Sequence, residues 1–216
     1  MTVFITNNKH VDHYKCVNFF KSLGHSVIET AENAEIIVFL SEDRRLPSIM
    51  YGVNSVTVEE TNHTRAMIDY KLFKNYNNNK LLIGFNTSAL YLAVMSGCKI
   101  IHRLRTHNEM HSIDFEKNKG VMSAGFHSQL MYPYDMKPSD FKVHATSGIA
   151  PKLISYFKDD TTLFNYDLNL PEPEIVYFRK TNVLAIQAEL YTASLKSTIT
   201  SLKDLIECSK QENITV

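Results

Sequence analysis

Three short apolar runs set the strongest constraint on this chain: "VFIT" (3–6), "EIIVFL" (35–40) and "KLLIGF" (80–85). Each is an almost unbroken stretch of aliphatic or aromatic residues, the pattern of a strand covered on both faces. Helical sequence lies between them. "VDHYKCVNFFKSLGHSV" places Val11, Tyr14, Val17, Phe20 and Leu23 at helical spacing, and Gly24 follows as a stop. "TRAMIDYKLFKNY" reads as a second helix, ended by the "NNN" of residues 77–79. Strand, helix, strand, helix, strand predicts a parallel sheet with helices on its faces.

The second half changes character. "GVMSAGFHSQLMYP", "KVHATS", "EIVYFRKTN" and "VLAIQA" read as strands joined by turns, and "YTASLKSTITSLKDLIECSK" as a closing amphipathic helix. "DLNLPEPE" reads as a polar loop, too short to divide domains. No repeat or linker interrupts the chain, so residues 1–216 are expected to form a single domain, fraying near the C-terminus.

Composition narrows the function classes. Lys plus Arg and Asp plus Glu are each 23, giving a formal net charge of zero, so no electrostatic grip on nucleic acid or an anionic membrane is expected. The two arginines of "RLRTH" read as a solvated edge, and "LMYPYDM" as core packing and a turn. No apolar run is long enough to cross a bilayer, and "MTVFITNNKH" lacks the features of a signal peptide. Cys16, Cys98 and Cys208 are odd in number and widely spaced, with no C-x-x-C pattern. Together these lead us to expect a cytoplasmic protein with reduced, buried thiols. His107 and His111 stand four apart, as metal ligands on a helix can. No third ligand accompanies them, so neither a metal nor a cofactor is expected.

The segment "KLLIGFNTSALYLAVMSGCKII" (80–101) reads as a buried strand, a sharp turn and a buried helix, with Asn86 at the tip. Ligands of open α/β sheets gather at such carboxyl ends of strands, where helix N-termini supply amide donors. Thr87 or Ser88 is expected to cap the helix. That layout often presents a nucleophile, and asparagine is a poor one.

The order of these segments resembles class I glutamine amidotransferases and the related gamma-glutamyl hydrolases, most closely the phage-encoded type. "GFNTSALYLAVMSGCKI" is similar, without a gap, to that family's G-I-C-R-G-A-Q-F-L-N-V-M-x-G-G-K-L elbow. "HNEMHSI", "SAGFHSQLMYP" and "EPEIVYFRKTNVLAIQ" resemble three further family segments in the family's order, and "LSEDRRLPSIMYG" echoes an early one. The resemblance implies a flavodoxin-like amidotransferase fold, a mostly parallel central sheet flanked by helices.

The resemblance also implies a changed site. In such enzymes a cysteine thiolate attacks the glutamine amide, a histidine moves the proton and a glutamate orients the histidine. The matching positions here hold Asn86, Glu189 and Tyr191. The glycine pair on the oxyanion side corresponds to Leu40 and Ser41, and the glycine and glutamine after the nucleophile to Ser88 and Leu90. Thr87, His127 and Gln129 complete the expected pocket lining. Cys98 lies twelve residues beyond Asn86, at the far end of the helix and roughly 15 Å or more away, so it is not expected to replace the nucleophile.

The implied function is a catalytically degenerate relative serving as a binding or regulatory module, phage-encoded and directed at a host or phage protein in the host cytoplasm. A protein partner is expected, a small polar ligand in the remnant pocket is a second candidate, and a homo-oligomer is compatible with the sequence. The alternative is an enzyme of altered chemistry that uses Glu189 or His127 as acid or base. A glutaminase with a displaced nucleophile is a more distant third reading.

Overall fold

The computed structural model describes residues 1–7, 9–40, 63–115, 121–147, 154–158, 162–166, 172–188 and 196–214. The first half builds β1 (Thr2–Ile5), α1 (His13–Ser22), β2 (Ser26–Ile28), β3 (Ile36–Phe39), α2 (His63–Tyr76), β4 (Leu81–Phe85) and α3 (Thr87–Met95). The second half adds β5 (Lys99–Phe115), β6 (Val121–Tyr132), β7 (Phe141–Ser147), β8 (Ile154–Lys158), β9 (Thr162–Tyr166), β10 (Pro173–Phe178), β11 (Val183–Ile186) and α4 (Lys196–Ile214).

The strands join in one sheet of order β2-β1-β3-β4-β11-β10-β7-β5-β8-β9, with β6 paired to β5. Its centre, β2-β1-β3-β4-β11, is parallel throughout. The remaining pairings are antiparallel and extend one edge. The expected mostly parallel central sheet with flanking helices is therefore present. β3, β4 and β11 are buried at every position, which is why their sequences are apolar without alternation.

Helices cover both faces. On one, Cys16, Phe19, Phe20 and Leu23 of the α1 segment and Leu202 and Ile206 of α4 pack with Val3, Ile36, Ile83 and Leu184. On the other, Phe73 of α2 and Ala89 to Ala93 of α3 pack with Ile37, Leu82 and Ala185. Tyr177 anchors α4: its buried hydroxyl donates to Asn182 Oδ1 at 2.9 Å and lies 3.2 Å from the Ser209 carbonyl.

Several expectations need correction. The buried stripe of α1 is rotated from the expected one: Val11 and Tyr14 are 84% and 74% exposed, whereas Cys16 and Phe19 are buried. The helix begins only at His13, so Val11 precedes it. Residues 99–115 form one long strand, so His107 and His111 lie on β5 rather than on a helix. Four residues span about 13 Å along a strand, against about 6 Å between neighbours on a helix face, which removes the basis for pairing them. Among the described residues no group of three or more His, Cys, Asp or Glu could hold a metal ion. The end of the supposed polar loop is interior: Glu172 and Glu174 are 2% and 0% exposed, and β10 starts at Pro173. "LMYPYDM" does combine core and turn, with Leu130 and Met131 buried and a 3₁₀ turn at Pro133–Asp135. No helix among the described residues is long and apolar enough to cross a membrane.

Candidate functional site

The parallel strands all end on the same edge of the sheet, and β4 passes there directly into α3. Asn86 is the single residue between them, with φ 52° and ψ −121°. A positive φ is uncommon for any residue with a Cβ, and this ψ lies far from the left-handed helical well near +47° that asparagine tolerates. Asn182 makes the contrast: at φ 49° and ψ 46° it sits inside that well, in an ordinary turn. Asn86 is therefore strained, by about 1–3 kcal/mol for a residue outside the common wells. A strained strand-to-helix turn is the geometry of a nucleophile elbow.

Two features hold the turn. The Asn86 amide donates to the Ile186 carbonyl at 2.9 Å, extending the β4–β11 ladder by one bond past the last paired residues, Phe85 and Ile186. The Asn86 carbonyl then accepts from Ala89 and Leu90 at 3.0 and 3.3 Å, starting α3. The helix consequently lies very close to the strand. A Cβ on Gly84 would stand 2.6 Å from the Ser88 carbonyl oxygen, so only glycine fits there. Gly84 belongs to the elbow motif by sequence, but the reason it must be glycine lies in this packing.

The expected capping differs from the structure. Asn86, not Thr87 or Ser88, occupies the N-cap position, and its side chain makes no cap hydrogen bond. Thr87 and Ser88 are 3% and 2% exposed, and neither hydroxyl has a hydrogen-bond partner among the described residues. Such groups carry a desolvation cost of about 1–3 kcal/mol each.

The other candidates divide by location. Leu40 follows β3 and is 2% exposed; its amide donates to the Thr6 hydroxyl at 3.1 Å. Leu90 is 4% exposed in the core beneath α3. The two leucines lie in different cores on opposite faces of the sheet. His127 and Gln129 lie on β6, where the backbone register sets them opposite His107 and His102. Ser41, Glu189 and Tyr191 lie outside the described residues. The chain after β11 is described as far as Ala188, and the Gln187 amide donates to the Glu174 carbonyl at 2.8 Å. Glu172, Glu174 and Gln187 form a buried polar group at this end of β10 and β11 that sequence reasoning missed. The "EPE" was visible, but proline beside two acids reads as loop unless the strand pairing is known.

The thiols differ among themselves. Cys98 is buried at the junction of α3 and β5, donates to the Lys99 carbonyl at 3.3 Å, and is pushed up to about 12 chiefly by burial. Cys16 is fully buried and its pKa is likewise raised, first by burial and then by Asp12. Cys208 is exposed, contrary to the expectation of a buried thiol.

The fold is that of glutamine amidotransferase-like proteins. The chain is similar to a protein assigned as a GMP synthase component from Thermoplasma acidophilum, with 8% identity, TM-score 0.64, and 98% and 94% of the two chains covered. It is also similar to a glutamine amidotransferase from Thermotoga maritima, with 12% identity, TM-score 0.56, and 98% and 82% coverage. PurLQS from Thermotoga maritima aligns with 10% identity, TM-score 0.59, and 95% and 97% coverage. No protein-family model matches the sequence, and no curated protein does so.

Proposed function

We propose that this chain is a catalytically degenerate glutamine amidotransferase-like protein that works as a binding or regulatory module, phage-encoded and directed at a host or phage protein. The observation that carries this reading is Asn86 at φ 52° and ψ −121°. The elbow geometry is present, and the residue on it ends in a carboxamide. A carboxamide does not ionise to a nucleophile near neutral pH, so the acyl transfer that a thiolate performs has no counterpart here.

Two further observations support it. A thiol with a pKa near 12 is overwhelmingly protonated at neutral pH, so Cys98 is a poor replacement nucleophile even before its position is considered. The Leu40 amide, aligned with that of an oxyanion-side glycine, donates to the Thr6 hydroxyl at 3.1 Å, and Leu90, aligned with the elbow glutamine, is apolar and buried.

A diazoketone analogue of glutamine tests the reading by intact-mass and peptide analysis. The expected result is no adduct on the wild-type chain. A cysteine adduct overturns the proposal in favour of a displaced nucleophile, and an adduct on Glu189 overturns it in favour of altered chemistry. The binding role is tested by affinity capture from expressing cells, where a protein recovered in stoichiometric amount is expected. Recovery of none overturns the role.

A further inference from the structure

A cleft opens at the same edge of the sheet, around β1 and β2. It measures about 840 Å³, within the range of roughly 300–1,000 Å³ usual for small-molecule sites. Phe4 and Ile28, paired in register across the two strands, form an apolar floor and are only half-buried. The chain leaves β1 through Asn7, whose φ of 54° turns it aside instead of continuing the strand. Asn7, Lys9, His13 and Glu29 supply the polar lining. The cleft lies at the carboxyl ends of β1 and β2, the end of the strands where ligands of open parallel sheets gather.

The charges on the rim are balanced. Lys9 and Glu29 are both exposed, and neither has an ion-pair or hydrogen-bond partner among the described residues. His13 is held toward its neutral form by burial and by nearby His10, so it acts as a hydrogen-bonding group more than as a third charge. An apolar floor between a cation and an anion suits a zwitterion with a hydrophobic body. An anion alone would meet Glu29, and a cation alone would meet Lys9.

We propose that this cleft binds a free α-amino acid with an apolar or aromatic side chain. Its carboxylate faces Lys9, its ammonium faces Glu29, and its side chain lies on Phe4 and Ile28. The site is separate from the elbow, since β3 stands between β1 and β4. It therefore stands whether or not the elbow is catalytic.

Calorimetric titration of the intact chain with L-phenylalanine tests the assignment, using 3-phenylpropionate and 2-phenylethylamine as probes lacking one charge each. Lys9→Gln and Glu29→Gln are surface changes expected to leave the fold intact, which circular dichroism checks. Phenylalanine is expected to bind with Kd about 1 mM or tighter, and each substitution to weaken it about tenfold. Lys9→Gln should also weaken phenylpropionate while sparing phenylethylamine, and Glu29→Gln the reverse. The assignment is overturned if phenylalanine fails to bind at about ten times that concentration, if both variants bind it as the wild type does, or if a single-charge probe binds as tightly as the amino acid.

Discussion

The backbone amide of Asn86 donates to the carbonyl of Ile186 at 2.9 Å, fixing the tip of the β4–α3 turn to the end of β11. That bond holds Asn86 at a positive φ which its own side chain disfavours. Asn86→Gly should relieve the strain, less the extra entropy glycine loses on folding, for a net gain of about 1 kcal/mol in urea denaturation. A loss of stability would show that the asparagine side chain does more for the fold than the backbone costs.

Gly84 is the opposite case, because its neighbourhood and not its torsion forbids a side chain. An added Cβ would meet Ser88 carbonyl oxygen, Ser88 carbonyl carbon and Ala89 nitrogen at 2.6, 2.7 and 2.8 Å. These are backbone atoms of α3 and cannot move without lifting the helix. Gly84→Ala should cost about 3 kcal/mol, at the upper end for overpacking, read from the shift in denaturation midpoint at unchanged slope.

The parallel half of the fold was legible because β3 and β4 are buried on both faces and so carry runs such as Ile36–Phe39 with no polar interruption. The long β5 was not. Its stretch "HRLRTHNEMH" is polar, and its strand state comes from pairing with β6 along most of its length, which is a tertiary cause. Asn86 could be placed at the turn from the residues around it, but its torsion depends on the Ile186 contact, a hundred positions away. Val11 misled because the helix begins only at His13, and Tyr14 because the buried stripe runs through Cys16, Phe19, Phe20 and Leu23, which leaves Tyr14 on the outer face.

Thiol chemistry should follow burial. Cys208 is exposed, whereas Cys16 and Cys98 are buried and their thiols are pushed up by that burial. Brief treatment of the native chain with iodoacetamide near neutral pH should add one carbamidomethyl group, at Cys208, and denaturant should release the other two cysteines. Rapid native modification of Cys98 would contradict the burial and revive it as a candidate nucleophile.

His25 should make stability sensitive to pH. It is buried beside Phe20, its ring centroid 6.1 Å from that of the phenylalanine, and its Nε2 has no hydrogen-bond partner among the described residues. Burial, then the N-terminal ammonium, lowers its pKa below the ordinary 6.5. The unfolded chain therefore binds a proton more readily than the folded one, and stability falls as pH drops below about 6.5 until the folded pKa is passed. Urea denaturation between about pH 7.5 and 5 should show that loss, and His25→Leu should reduce the slope, with His13 supplying part of the remainder. An unchanged slope in the variant would place the sensitivity elsewhere.

Ammonia release from glutamine tests the central claim most directly. Removing a catalytic nucleophile costs about 10⁶-fold in kcat in well-studied hydrolases, so no release above buffer is expected from the wild-type chain. Asn86→Cys should be equally silent, because Glu189 offers a carboxylate where the reaction needs an imidazole. Wild-type turnover that disappears in Cys98→Ser would contradict the degenerate-enzyme reading, since it would make a working enzyme of a chain whose elbow carries an amide.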